Sequence, residues 1–310
     1  MDALAGLLDG PRARDAFLLR AILAPPWSLR IQDQAPLTVI AQVHGSAWVL
    51  PDDGRRVPLA PGEVAVVCGP APYSVADDPG TAPQVIIHPG QRCETPDGQP
   101  AYRELDLGVR TWGNSAAGDT VMLVGSYHLD GEVSLRLLRA LPKVLVLPAP
   151  DGSLISLLSK EIVRDEPGQE VVLDRLLDLL LITTLRTWFA RPEAGAPGWY
   201  RAQGDPVIGR ALRMLHNNPA HPWTVAALAS ATGVSRATLA RRFTELVGEP
   251  PMSFLAGWRL ALAADLLRAT DATVSSVAAS VGYGSPFALS AAFKRAHGRS
   301  PQQYRTRVLN

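Results

Sequence analysis

Between about residue 37 and residue 147 the chain is written in short apolar runs rich in β-branched residues: "LTVIAQV", "SAWVLP", "RRVPL", "GEVAVVCG", "PQVIIHP", "DTVMLVGSYHL" and "PKVLVLP". Turn-forming clusters separate them, "DDG", "APG", "ADDPG" and "TPDG". Short strands with frequent turns and no helical spacers predict a β-sandwich or barrel rather than a parallel sheet. After residue 150 the apolar period lengthens. "LISLLSKEIV" (Leu154–Val163) and the segment Val171–Phe189 read as helices, the second with Leu173, Leu176, Leu177 and Leu180 on one stripe. Leu179, Leu181 and Ile182 widen that stripe beyond what one core contact needs. The "RPEAGAPG" stretch (Arg191–Gly198) then reads as a linker.

Beyond the linker a unit is written twice. Thr224, Val225 and Gly233 recur forty-nine residues later as Thr273, Val274 and Gly282; Phe243, Gly248 and Pro251 recur fifty residues later as Phe293, Gly298 and Pro301. In the first copy Thr224 suits an N-cap, and Val225, Leu228 and Ala229 make a helical stripe. Gly233 suits a tight left-handed turn, Ser235 a second cap, and Leu239, Phe243 and Leu246 a second buried face. The second copy repeats this with Val277, Ser285 and Leu289, and its one-residue slip falls in the turn, where "GYG" replaces "GV". Between the copies Pro251–Thr270 reads as one helix with Phe254, Leu255, Trp258, Leu262 and Leu266 inward and proline at its start. One such hairpin serves packing as readily as recognition. Two on a stiff connector suit successive major-groove segments about 34 Å apart.

Charge sharpens the division. Residues 201–310 carry 13 Arg/Lys against 5 Asp/Glu, and residues 1–200 carry 17 against 24, so a basic half (+8) follows an acidic one (−7). A polyanionic partner for the C-terminal half is the direct implication. Asp174, Arg175, Asp178 and Arg186 interrupt the most apolar segment, which argues against a membrane span. The N-terminus lacks a signal-peptide design, and two cysteines make no disulfide framework, so a cytoplasmic protein is expected.

The text "TVAALASATGVSRATLARRFTELVGEPPMSFL", then "RLALAADLL" and "VAASVGYGSPFALSAAFKRAHGRSPQQYR", resembles the paired helix-turn-helix domain of AraC/XylS-family transcription regulators. The resemblance implies seven helices, with recognition helices on Ser235–Val247 and Ser285–His297. It places base-reading side chains at Ala237, Ala240 and Arg241, beside Thr238. Arg241 is the first choice for a base contact because its guanidinium can donate two parallel hydrogen bonds, while Arg236 and Arg242 suit phosphates. In the second helix Pro286, Phe287, Ala288 and Ala291 stand where relatives place polar readers. Ser285, Ser290, Lys294 and Arg295 remain for the DNA backbone, so the second unit is expected to position more than it specifies.

Upstream, "LAPGEVAVVCGPAPYSVADDP" is similar to the cupin-type sensor of one subgroup of these regulators, which also carries helices after the barrel. The chain offers His44, His88, His128, Cys68 and Cys93 but no His-x-His, and Tyr73 stands where a cupin enzyme's histidine is expected. Several readings of "HPGQRC" stay open. His88, Cys93 and Cys68 form a metal-ion site; the two cysteines form a redox switch; they are small buried hydrophobes with His88 ending a strand; or they line a ligand pocket, for which Trp27, Trp48, Tyr73 and Trp112 are candidate walls. The expected architecture is α+β: a cupin-like barrel or sandwich (1–150), a helical dimerisation segment (151–191), a linker (192–204) and an all-α double helix-turn-helix domain (205–310). The expected protein is a DNA-binding regulator, not an enzyme. Its expected partners are promoter DNA, a small-molecule effector, a second copy of the chain and RNA polymerase. A metal-dependent cupin enzyme fused to a helical interaction module is the alternative.

Overall fold

The computed structural model describes residues 17–101, 105–127, 131–191 and 195–306. They form two compact units: residues 17–127 with 141–191, and residues 131–140 with 195–306.

The first unit is built on thirteen strands in two sheets: β1 (Phe17–Leu23), β2 (Ser28–Ile31), β3 (Leu37–His44), β4 (Ala47–Pro51), β5 (Val57–Leu59), β6 (Glu63–Cys68), β7 (Tyr73–Ala76), β8 (Val85–His88), β9 (Arg92–Glu94), β10 (Asp106–Gly108), β11 (Thr111–Trp112), β12 (Thr120–Tyr127) and β13 (Val144–Pro148). One sheet runs β10-β11-β1-β12-β3-β6-β13 and the other β5-β4-β7-β2-β8-β9. Strands begin twenty residues before the pattern suggests. β1, "FLLRAIL", has three leucines and a single β-branched residue, Ile22, so its strand signal is weak, yet it is an inner strand between β11 and β12. Every residue of β3 from Leu37 to Gln42 is buried, because one face meets the opposite sheet and the other is covered by helix.

That cover consists of two helices introduced after β13. They are α2 (Gly152–Glu161) and α3 (Gln169–Phe189); an earlier helix, α1 (Glu132–Leu138), lies between β12 and β13. Asp151 caps α2 by accepting from the Ser153 N–H at 2.8 Å. α3 presses on the sheet at Gly125 of β12, where a Cβ would stand 2.5 Å from a Leu177 methyl. A larger residue here would require the Leu177 side chain to shift.

The second unit holds α4 (Gly198–Arg201), α5 (Ile208–Asn217), α6 (Val225–Thr232), α7 (Arg236–Val247), α8 (Pro251–Ala269), α9 (Val274–Ser280), α10 (Pro286–His297) and α11 (Pro301–Thr306). Seven helices thus run from Ile208 to Thr306. The capping read from sequence is present. Thr224, Ser235, Thr273 and Ser285 accept from the N–H of Ala227, Thr238, Ser276 and Ala288 at 3.0–3.1 Å. Both turns close alike, with Val234 N–H donating to Ala229 O and Tyr283 N–H to Ala278 O, and Gly233 and Gly282 hold φ of +75° and +84°. The slipped residue falls just after this turn: Gly284 stands between Tyr283 and the Ser285 cap, where Val234 runs directly into Ser235.

α8 is the wall shared by two small cores. Phe254 and Leu255 join Leu228, Leu239 and Phe243 in one; Leu260, Ala263 and Leu267 join Val277, Leu289 and Phe293 in the other. Leu262 and Leu266, expected inward, are only half-buried, because small Ala263 and Ala264 occupy the closest approach instead. α1 belongs to this unit although its sequence lies between two strands. Val133 and Leu137 are buried, and Arg136 lies over the rings of Phe254 and Trp258. Asp265 of α8 caps α1, accepting from Glu132 N–H at 2.6 Å and Val133 N–H at 3.2 Å.

Candidate nucleic-acid interface and sensor cavity

α7 buries Leu239 and Phe243 completely and presents Arg236, Ala237 and Arg241 to solvent, with Thr238 and Ala240 half-buried at the margin. Thr238 shares a hydrogen bond with the Ser235 cap at 2.9 Å. Arg241 is steadied by Glu245 one turn on, with Nη1 3.0 and 3.2 Å from its two oxygens. Both side chains are more than half exposed, so a base edge or phosphate can displace the glutamate at small cost. Arg242 is placed differently. Its Nη2 lies 2.5 Å from Asp205 Oδ2, and Asp205 also caps α5 through Val207 and Ile208 N–H. That guanidinium ties two helices together.

α10 repeats the geometry with other chemistry. Leu289 and Phe293 are buried; Ala288, Ala291, Lys294 and Arg295 are exposed; Ser285 and Ser290 are half-buried. Arg236, Lys294 and Arg295 make no ion pair among the described residues. Phe287 is 84% exposed, the most exposed large hydrophobic residue described. Sequence reading placed it at a reader position but did not single it out. Its signal was an aromatic residue one place after a helix-opening proline, off the buried stripe.

In the first unit the cavity follows from the pleat. Alternate residues of a strand face one side, and Leu19 and Ala21, Thr38 and Ile40, and Met122, Val124 and Ser126 all turn between the sheets. The space they leave is a small cavity of about 60 Å³ that opens to solvent. Tyr73 and Trp112 stand in its wall, whereas Trp27 is packed in the core at 1% exposure and Trp48 lies elsewhere on β4.

Cys93 reaches the cavity wall, but Cys68 lines a separate surface hollow with Asp52 and Lys143. Both are free thiols. Burial pushes Cys68 up to about 12 and Cys93 above its ordinary value, which holds both in the unreactive thiol form. His88 does not converge with Cys93. Ile87 pairs with Cys93 and His88 with Arg92, so the two side chains leave opposite faces of the hairpin. His88 Nε2 is instead 2.7 Å from Glu94 Oε1. Among the described residues no three His, Cys, Asp or Glu side chains gather as a metal requires, and His128 lies outside them.

The α3 leucines divide likewise. Leu173, Leu177 and Leu180 are buried within their own unit and only Leu176 of the four is partly open. The helix's free apolar surface is Val171, Val172 and Leu179.

Residues 2–190 match the cupin family and residues 228–307 the helix-turn-helix domain family. An AraC-like transcription regulator of Streptomyces antibioticus is 32% identical over 98% of this chain and 98% of its own. The chain belongs to the AraC family of transcription regulators. Another relative, the HTH-type transcriptional regulator AlkR of Acinetobacter baylyi, is 28% identical over 98% of this chain and 99% of its own. The solved DNA-binding domain of AdpA in complex with a target DNA is 35% identical over 34% of this chain and 93% of that one, with a TM-score of 0.32. As an AraC-family member the protein is a DNA-binding transcription regulator with a cupin N-terminal domain. No helix among the described residues is long and apolar enough to cross a membrane.

Proposed function

We propose that this AraC-family protein is a cytoplasmic regulator that reads one promoter site with both helix-turn-helix units, and that its cupin domain adjusts that reading by taking up a small molecule. Arg241 contacts a base edge, Ala237 and Ala240 allow close approach, and Arg236, Ser285, Ser290, Lys294 and Arg295 hold phosphates. A second copy docks on the α2–α3 hairpin, and RNA polymerase is the partner through which bound protein acts. The observation that carries the sensing role is the cavity, because a β-fold kept only for stability closes its core. An enzyme reading has less support: among the described residues no metal ligands converge, and no histidine lines the cavity.

Anisotropy titration of the intact protein on its own upstream DNA tests the DNA half. Affinity is expected to fall steeply as salt rises, through counterion release; a flat or undetectable interaction refutes it. A small-molecule fraction of cell extract tests the sensing half. It is expected to change operator affinity for the parent and not for Val124→Phe, whose ring fills the cavity.

A further inference from the structure

The cavity's chemistry narrows what it accepts. Leu19, Ile40, Val75, Ile87, Met122 and Val124 give it a wall of carbon. Its polar groups concentrate on one side, where Thr38 of β3 and Ser126 of β12 stand directly opposite in the ladder. These two are 2% and 4% exposed, and their hydroxyl oxygens are 3.4 Å apart. That is long for an O–H···O hydrogen bond, whose usual separation is about 2.7–2.8 Å. The two hydroxyls are partnered with each other, yet each oxygen has a second lone pair that can accept one more hydrogen bond in a dry place. Tyr73, 5% exposed and lining the same cavity, extends the hydroxyl wall.

Ionised ligands are poorly served. Among the described residues no arginine, lysine or histidine lines the space, and the one carboxylate that does, Asp33, already accepts the Ala35 N–H at 3.0 Å. An anion would be stripped of water beside a like charge, which is costly without a cation. A cation would find a counter-charge in Asp33 but would exchange its water for a mostly aliphatic wall. A polyol would leave most of its hydroxyls unpaired against the aliphatic wall.

We infer that the cavity binds an uncharged amphiphile, an apolar body bearing one hydroxyl or carbonyl group, with that group on the Thr38–Ser126–Tyr73 wall. This rests on the reading of the cupin domain as the sensor. Calorimetric titration of the intact protein with 1-octanol, octanoate, octylammonium and a hexose tests it. Octanol is expected to bind at least about tenfold more tightly than either ion or the hexose. Thr38→Val with Ser126→Ala is expected to weaken octanol by about fivefold, the loss of one ordinary hydrogen bond. Val124→Phe is expected to abolish binding, and Ala21→Leu replaces it should that variant fail to fold. Equal or better binding of octanoate, octylammonium or the hexose overturns the ligand class. So does the absence of octanol binding, or octanol binding that survives a folded cavity-filled variant. Operator affinity in the same samples separates the two readings. Octanol held in the cavity without any change in operator affinity supports the ligand class and overturns the sensor.

Discussion

Arg241 and Ala291 occupy matching places on the two recognition helices, fifty residues apart, and only the arginine can hydrogen-bond a base edge. Arg241→Ala is expected to cost about 1–3 kcal/mol on the cognate site and to relax choice at one base pair. Lys294→Ala should weaken all sequences alike and flatten the salt slope by about one unit. Phe287, bare on the opening turn of α10, adds an apolar surface suited to a thymine methyl. Phe287→Ser should therefore lower the preference for thymine while leaving non-specific affinity unchanged. Selection from a randomised DNA library checks all three; a changed consensus for Lys294→Ala with an unchanged one for Arg241→Ala refutes the assignment. The buried thiols lead elsewhere. Native protein at neutral pH should resist alkylation at Cys68 and Cys93, and unfolding should release both, as mass spectrometry can follow. Rapid native labelling of Cys93 would restore the redox reading. At this scale the sequence was legible where periodicity decides direction, as for Arg241 against Leu239 and Phe243. It was silent where a partner lies far along the chain: nothing near Arg242 announces Asp205, thirty-seven residues away.

Elements show the same division. The helix-turn-helix pairs were readable because caps, turn glycines and stripes are local and occur twice. β1 was not, because its one β-branched residue, Ile22, gives only a weak strand signal and its place between β11 and β12 is set by distant neighbours. For α3 the period was right, but the stripe of Leu173, Leu177 and Leu180 faces its own sheet and α2. Five of the seven exposed large hydrophobic residues described, Leu157, Val163, Val171, Val172 and Leu179, lie on α2, α3 or the turn joining them. Val172→Glu with Leu179→Glu is expected to yield folded monomers in sedimentation, whereas Leu177→Glu should unfold the unit. A dimer persisting in the first variant would place the interface elsewhere. The same helix carries a pH response. Burial, then Asp178 and Glu170, raise Asp174 from 3.8 to about 6, against the opposing pull of Arg175 and Arg110. The folded state thus holds this proton more tightly than the unfolded chain. Stability from this group is greatest below about pH 4 and declines as pH rises through 6. Asp174→Asn should remove that decline and raise the melting temperature at pH 7.5 but not at pH 4.

On the scale of the whole molecule, the boundary between the units does not follow the order of the chain. Composition separates an acidic β-rich half from a basic helical half, and within the first of these the ten residues from Gly131 to Ala140 pack with the second. No local signal reveals this, since α1 is a short amphipathic helix of ordinary composition. What fixes its place is a set of partners on α8 and α11: the Asp265 cap, the Glu132–Tyr304 hydrogen bond at 3.2 Å, and the Phe254 and Trp258 rings beneath Arg136. A fragment of residues 195–310 carries both recognition helices and should bind DNA with steep salt dependence. It should nevertheless be incomplete, because α8 loses the side chains that cover it. Joining residues 131–140 to that fragment through a flexible linker is expected to add about 2 kcal/mol, mainly from burying Val133 and Leu137. For a domain of this size that is about 10 °C in melting temperature. The Asp265→Ala version of the joined fragment should lose much of the gain, since the two amide donors opening α1 would lose their acceptor. Calorimetry on the three fragments decides it: equal melting temperatures with and without residues 131–140 would mean that α1 contributes nothing to the DNA-binding unit.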